Sequence, residues 1–421
     1  MKNLKVIVAH PDKQHSYKLA AALKEHEILF KYITTVYNKE NSWLMKLVKI
    51  VLSGDNLKKA KNKKSNNLND DEVIQFCELS GFLSLILKRI DKSKKIYKWW
   101  TRKRFDHFGK KVADYAIKNN VDAVIMYDTT AKKCFQILKR KAPEIIRIMD
   151  SSSANKFYTK YILQKEIEKS KNTSFYQNNR YLWDDKFMKN YCEEVNLTDH
   201  FLVPSNFVKK SFLFSDISEN KINIVPYGAN FILDNKDFNQ KENSNQNLKF
   251  LFVGQVLNRK GVGYLLKAFN ELNNNSIELH IAGKGYKEFL KNNPYVLSEN
   301  IYFHGFITHD KIKKTYINSD VFVFPSFTEG MTLAGLEAMG SGLPIICTHN
   351  SGVNDLVING KNGFVIPVGD FRSIKNKIQW FINNKNLIPE MGINAKQTAE
   401  KYTWDNYKNN VVKVINSILK N

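Results

Sequence analysis

The chain predicts an α/β protein made of two Rossmann-like halves in tandem, and three observations carry that expectation. Short apolar runs alternate with helical stretches along both halves, the pattern of parallel sheets buried on both faces. A polar, Asn-rich stretch around 231–247 separates the two series. The chain has 421 residues, 43% apolar, 12% aromatic and 25% charged, enough for two or three domains of ~100–200 residues each. That composition excludes a disordered or collagen-like chain, and no apolar run reaches the ~18 residues of a membrane-spanning helix.

The first half opens with a buried strand at Lys5–Ala9, a loop at His10–His15 and a helix at Ser16–Glu25, with Ser16 as the expected N-cap. Further strands are expected at Val121–Tyr127, at Ile145–Met149 running into Asp150, at Phe201–Val203 and at Ile222–Val225. The second half repeats the scheme with strands at Phe250–Val253, Leu279–Ala282, Ile301–His304, Val321–Phe324, Pro344–Cys347 and Gly363–Ile366. Helices are expected at Gly263–Leu272 and, amphipathic, at Trp404–Leu419. The expected organisation is a domain over 1–230 with a basic, aromatic helical insert at about 40–110, a linker over 231–247, a domain over 248–400 and a terminal helix over 401–421. The short apolar N-terminus followed by Pro11-Asp12 reads as a first strand rather than a signal core, so a cytoplasmic location is expected. Cys77, Cys134, Cys192 and Cys347 lack metal or redox spacing and are expected as free thiols.

Charge is uneven. The formal net charge is +24, and residues 1–150, with 32 basic against 16 acidic side chains, carry +16 of it. Such a field suits an anionic partner: a membrane surface, a lipid pyrophosphate, an acidic polymer or a nucleic acid. Lysines outnumber arginines 57 to 8, which disfavours base-reading and so a nucleic-acid partner; biased codon usage is the bland alternative. Trp43–Leu52 has an apolar helical face, and Lys94–Phe105 interleaves lysine and arginine with Tyr97, Trp99 and Trp100. Rings and lysines mixed in this way suit headgroup depth at a membrane, against the alternative of helices packed on the first sheet.

The most informative stretch is Phe324-Pro-Ser-Phe-Thr-Glu-Gly-Met-Thr-Leu-Ala-Gly-Leu-Glu-Ala-Met-Gly-Ser-Gly-Leu-Pro-Ile345. A buried strand reaches a turn, a flexible loop follows, and a helix starts near Ala334 and stops at its glycines. Free amides and a helix N-terminus together make a diphosphate site. Glu337, inside the helix, is suited to accept from two adjacent hydroxyls, as on a ribose. Glu329, at the loop mouth, is suited to hold sugar hydroxyls or to stabilise positive charge. A second strand end, Gly254, leads to Arg259 and Lys260, two cations placed where a pyrophosphate would leave.

Together these motifs resemble the family-4 retaining glycosyltransferases of the GT-B fold, the glycosyl transferases group 1. The pieces that carry the resemblance are Val-Gly…Arg-Lys-Gly261, Ile281-Ala-Gly-Lys-Gly285, Phe303-His-Gly-Phe306, the Pro-Ser…Glu-Gly…Leu-Glu-Ala-Met segment, Asn359-Gly-Lys-Asn-Gly-Phe-Val365 and Ile224-Val-Pro-Tyr-Gly228. They cover 200–421 well and 1–200 loosely. The resemblance implies two Rossmann-like domains facing a cleft, a last helix crossing back to the first domain, and a nucleotide-diphosphate sugar donor, UDP- or GDP-linked, bound by the second. It implies that Glu337 holds the ribose, that Arg259 and Lys260 meet the diphosphate, and that the amides of Gly330, Met331, Thr332 and Leu333 meet phosphate and sugar. Glu329 would contact the donor sugar, Gly254 would be among the donor-binding residues, and Gly283, Lys284 and Phe306 would line the base pocket. It implies no metal and no cofactor, a hexosyltransferase-type reaction with retention, and a glycan or lipid-linked acceptor used in surface polysaccharide synthesis at the inner face of the membrane.

The chain departs from that pattern at Gly254-Gln255, where the family commonly has Gly-Arg, and in Gly330-Met-Thr-Leu333 in place of Gly-Phe-Gly-Leu. Asp150 stands where many members place a histidine on the donor sugar, so it is the candidate catalytic residue of the first half. The loop after the first strand, with Lys13, Gln14, His15 and Ser16, is the candidate acceptor contact. The rival readings are an epimerase-type enzyme and a non-catalytic nucleotide-sugar binder. A dehydrogenase is disfavoured, because no Gly-x-Gly-x-x-Gly follows the first strand.

Overall fold

Strands made almost entirely of Val, Ile, Phe and Met have no polar face to give to water, and two parallel sheets bury them. The computed structural model describes residues 4–12, 15–39, 64–91, 93, 95–177, 179–234, 247–293, 295 and 297–420. The N-terminal sheet contains β1 (Val6–Ala9), β2 (Leu29–Thr34), β3 (Val73–Gln75), β4 (Ala123–Tyr127), β5 (Ile146–Asp150), β6 (His200–Val203) and β7 (Ile222–Ile224) in the order β3-β2-β1-β4-β5-β6-β7. From β3 to β6 its pairs run parallel, with Val6 opposite Ala123 and Tyr127 opposite Asp150. The helices of this part are α1 (Ser16–Glu25), α2 (Glu78–Ile90), α3 (Lys95–Lys118), α4 (Lys132–Lys141), α5 (Lys156–Ser170), α6 (Ser174–Gln177), α7 (Asp185–Asn196) and α8 (Asn206–Leu213).

The C-terminal sheet contains β8 (Leu248–Val253), β9 (Ile277–Ala282), β10 (Ile301–Gly305), β11 (Val321–Phe324), β12 (Ile345–Thr348) and β13 (Gly363–Ile366) in the order β10-β9-β8-β11-β12-β13. Its register is parallel throughout the resolved pairs. Around it lie α9 (Val262–Leu272), α10 (Tyr286–Asn292), α11 (His309–Ile317), α12 (Leu333–Gly340), α13 (Phe371–Asn383) and α14 (Ile388–Ala399), and α15 (Trp404–Lys420) ends the chain. β1, β4, β11 and β12 are buried along their whole length. Each sheet reverses its strand order once, between β1 and β4 and between β8 and β11. In open parallel sheets the crevice beyond the carboxyl ends of such strands is where ligands bind.

The chain divides into two compact units: Met1–Ser151 with Lys189–Leu202 and Lys408–Asn421, and Ser152–Met188 with Val203–Tyr407. This division places 152–188 and 203–230 with the second half, whereas the sequence division at 230 leaves both in the first. For 152–188 the reason is a hydrophobic cluster in which Leu163, Phe175, Leu182 and Met188 pack with Phe327. The last helix begins in the second unit, and its residues from Lys408 on cluster with the first, where Lys408 Nζ meets Glu25 at 2.8 Å. Trp43–Leu52 and most of the linker lie outside the described residues.

Two local expectations change. Ser16 is the first residue of α1 rather than its cap. His15 occupies the cap position without capping the helix through its side chain, and Ser16, fully buried, turns its hydroxyl onto Tyr32 at 3.0 Å. The neighbouring Trp99 and Trp100 on α3 diverge. Trp99 is 56% exposed, while Trp100 turns inward and donates its indole N–H to the Ser80 carbonyl at 3.1 Å.

Candidate active site

In the second unit the site is assembled at the sheet's reversal. After β8 the chain makes a tight turn at Asn258–Lys260 and enters α9 through Gly261 in the left-handed region (φ 75°). A Cβ at Gly261 would collide with the Pro325 carbonyl, so only glycine lets the turn lie against the end of β11. The two loops are then laced together. Phe327 N–H donates to the Arg259 carbonyl at 2.9 Å, and the Arg259 guanidinium donates to the Thr328 carbonyl at 2.6 Å. Asn350 supports the same loop, donating to the Phe327 carbonyl at 2.8 Å and accepting from Glu329 N–H at 3.0 Å.

This lacing delivers Lys260 onto Glu329, whose carboxylate it pairs with, and over the Phe324 ring at 5.2 Å. Both cations sit deep. Burial lowers the pKa of Arg259 from its ordinary value, and burial followed by the Arg259 charge holds Lys260 well below the usual lysine range. Glu329 supplies a counter-charge at this pair.

Gly330 follows at once. A Cβ there would strike the Ser152 carbonyl, and its own carbonyl accepts from Ser205 Oγ at 2.7 Å. Thr332 caps α12, accepting from Gly335 N–H at 3.4 Å. The amides of Gly330, Met331, Thr332 and Leu333 donate to no group among the described residues. They open at the positive end of a helix that carries no acid in its first turn, which is the arrangement that attracts an anion.

Glu337, one helical turn further on, is 8% exposed. Its carboxylate accepts from Asn230 Nδ2 at 2.6 Å and from the Tyr316 hydroxyl at 3.2 Å. Asn230 in turn accepts from the Trp404 indole at 3.1 Å, which fixes its amide orientation. Burial, with the Glu337 charge second, raises the Tyr316 phenol well above its usual value and keeps it a donor.

At the ends of β9 and β10, Gly283 packs on the Gly254 carbonyl so closely that no Cβ fits. Lys284 and Phe306 meet beside them, with Nζ 4.3 Å from the ring centre and Phe306 65% exposed. The expected donor residues therefore form three groups: Arg259, Lys260 and Glu329 with Gly330–Leu333; Gly254, Gly283, Lys284 and Phe306; and Glu337 with Asn230 and Tyr316.

In the first unit the reversal between β1 and β4 gathers a different set. His15 Nε2 meets the buried Asp150 carboxylate at 2.9 Å, and His10 and His15 both stand edge-on to the Tyr127 ring at 4.9 and 5.2 Å. His10 Nδ1 accepts from Asp12 N–H at 2.9 Å, and burial lowers its pKa. Buried Arg104 reaches Asp12 at 3.2 Å and Thr35 at 3.2 Å. Lys13 and Gln14 lie outside the described residues, and Ser16 lies in the core. Sequence reading missed Asn230, Tyr316, Asn350 and Arg104. Only Arg104 carried a signal, as one of 8 arginines in a chain with 57 lysines.

Comparison with known proteins agrees with this architecture. Residues 234–398 match the family model of glycosyl transferases group 1. A capsular polysaccharide biosynthesis glycosyltransferase of Staphylococcus aureus, CapM, is 30% identical over 223 residues, 48% of this chain and 54% of that protein. The putative colanic acid biosynthesis glycosyltransferase WcaL of Escherichia coli is 27% identical over 38% of this chain and 41% of its own. The chain thus spans about half the length of the curated relatives it matches. Among solved structures, the sucrose-phosphate synthase of Thermosynechococcus elongatus superposes with a TM-score of 0.66 at 15% identity, covering 99% of both chains. The lipopolysaccharide outer core galactosyltransferase WaaB gives 0.63 at 15%, covering 98% of this chain and 99% of that one. Anabaena HepE, solved with UDP and glucose, gives 0.61 at 14%, covering 98% and 100%. The strand order, the loop–helix at 324–340 and these matches agree: residues 234–398 are similar to the glycosyl transferases group 1 domain, and the fold is GT-B, of two Rossmann-like domains.

Proposed function

We propose that the chain is a retaining glycosyltransferase. It moves a sugar from a nucleotide-diphosphate sugar to a glycan or lipid-linked acceptor in surface polysaccharide synthesis, at the inner face of the membrane. The observation that carries the reading is the cluster of Arg259, Lys260 and Glu329 beside the four open amides of Gly330–Leu333. A diphosphate leaving from a sugar gains charge in the transition state, and fixed donors in a dry site stabilise that charge most. On this reading the donor's anomeric C–O bond breaks and an acceptor oxygen bonds to the same face of that carbon. The acceptor's proton passes to the leaving phosphate oxygen. Arg259, Lys260 and the amides take up the developing charge, with no metal required. Glu337 binds the ribose hydroxyls, exchanging its bond to Asn230 or Tyr316 for one to the nucleotide. The polysaccharide role is supported by CapM and WcaL, whose names state it of those proteins. The choice of UDP is supported by HepE and by TarM of S. aureus, both solved with UDP.

The test is calorimetric titration of UDP, GDP and ADP into the wild type and Glu337→Ala. One preferred nucleotide whose binding is lost in the variant supports the reading. Absence of binding by any of the three overturns the donor site; binding of one nucleotide with no transfer to any acceptor favours the non-catalytic alternative. A second check is the anomeric configuration of the product: transfer with inversion removes the retaining mechanism while leaving the transferase.

A further inference from the structure

We propose that the outward faces of α2 and α3 form a docking surface for an anionic lipid membrane. This names the surface behind the membrane-side placement above and rests on that reading. α2 shows its amphipathicity reversed. Leu79, Leu83, Ile86 and Ile90 are 66%, 38%, 52% and 66% exposed, while Gly81 and Ser84 face the protein. Positions spaced by 4, 3 and 4 share one face of a helix, so the four side chains make one outward stripe along its 13 residues. On α3, joined to α2 by the bond from Trp100 to Ser80, Ile96 is 59% and Trp99 56% exposed. Six of the 15 exposed large hydrophobic residues of the described chain therefore fall within 79–99, a concentration that marks an interaction face rather than scattered surface residues.

Charge selects the occupant. Lys95, Lys98 and Lys103 are exposed on α3, and Lys103 Nζ lies 5.5 Å from the centre of the Trp99 ring. Apolar side chains rimmed by lysines and a tryptophan are what a helix lying in the headgroup layer of an anionic bilayer presents. A second copy of this chain would set two such basic faces against each other, and an uncharged partner would leave the lysines without a purpose. No helix among the described residues is long and apolar enough to cross a membrane, so the contact is in-plane.

The test uses the full chain and co-sedimentation with vesicles of phosphatidylglycerol and phosphatidylcholine, or of phosphatidylcholine alone. The wild type is expected to sediment with the anionic vesicles only, and less as salt rises. Leu83→Glu/Ile86→Glu should lower the bound fraction about tenfold or more, and Lys95→Glu/Lys98→Glu should lower it with the apolar stripe intact. Wild type left in the supernatant, equal capture by neutral vesicles, or a Leu83→Glu/Ile86→Glu protein that binds like wild type would each overturn the proposal. So would light scattering that finds a dimer broken by that variant in the absence of vesicle binding, since the face would then belong to a second copy. UDP titration of the same samples separates the two readings. Intact UDP binding without vesicle capture sinks only the membrane surface. Vesicle capture without nucleotide binding sinks the donor site and leaves the surface standing.

Discussion

A lysine sunk in protein beside a guanidinium attracts an anion only while it keeps its proton. Burial and Arg259 depress Lys260, so the charge offered to a diphosphate is lost at lower pH than for a surface lysine. Donor affinity should therefore fall as pH rises through the upper end of the assay range. Lys260→Arg should flatten that fall, since guanidinium stays charged; calorimetry of UDP binding against pH checks this, and an unchanged profile removes Lys260 from the donor site. Lys260→Ala should lower kcat/KM by about a hundredfold or more, the usual effect of deleting one transition-state donor. Asn230→Ala leaves a Glu337 oxygen without its 2.6 Å partner, at a cost of about 1–3 kcal/mol in stability, and should raise donor KM more than it lowers kcat. In the first unit Glu194 accepts from the amides of Thr129, Ala131 and Lys132, yet burial pushes its pKa up to about 7. A carboxyl raised in the fold contributes stability that is full below its unfolded value and lost as pH rises through about 7. Urea denaturation of the wild type should accordingly weaken across that window more than that of Glu194→Gln.

At the scale of elements, the turn at Asn258–Gly261 and the loop at Pro325–Thr332 are a single construction held by glycine. Gly261→Ala must open the contact with Pro325 and strain a left-handed residue, the latter alone costing about 1–2 kcal/mol. Gly360, also left-handed but with nothing within 4 Å of its Cβ position, should show the backbone cost only. Thermal denaturation of the two alanine variants should separate them, and UDP binding should weaken in Gly261→Ala alone. Most strands were legible because continuous Val/Ile/Phe runs report a strand buried on both faces. β2 was not: Lys31 interrupts Leu29–Thr34 and hides its apolar character. β3 has three residues on the sheet edge, too few to show a period. The loop–helix at 324–340 was legible to within a residue, because strand, turn, glycines and helix follow one another in the chain. The partners of Glu337 were not. Asn230 and Tyr316 come from distant elements and look, in sequence, like any linker asparagine and core tyrosine.

At the scale of the molecule, the same plan appears twice: a parallel sheet that reverses its order once, with charged side chains gathered beyond the strand ends at the reversal. The second unit fills that place with cations and open amides, suited to a diphosphate. The first fills it with His10, His15, Asp12 and Asp150, suited to hydroxyl groups. The placement of 152–188 shows what sequence order cannot supply. An apolar helix face such as that of Leu163 does not state which sheet it will cover, and only the assembled core with Phe327 decides it. The excess of +16 over the first 150 residues belongs to this scale too. If transfer occurs at a membrane, turnover of a lipid-linked acceptor should fall as ionic strength rises, more steeply than turnover of a soluble analogue, and parallel assays of the two acceptors check it.

The bond from the Trp404 indole to Asn230, and from Asn230 to Glu337, gives the protein a built-in optical reporter. A tryptophan's emission shifts when its N–H partner changes. If a ribose takes Asn230's place on Glu337 and the released amide turns away from the indole, the light emitted by Trp404 will change with nucleotide occupancy, without any dye or label, and a Trp404→Phe protein will lose that signal.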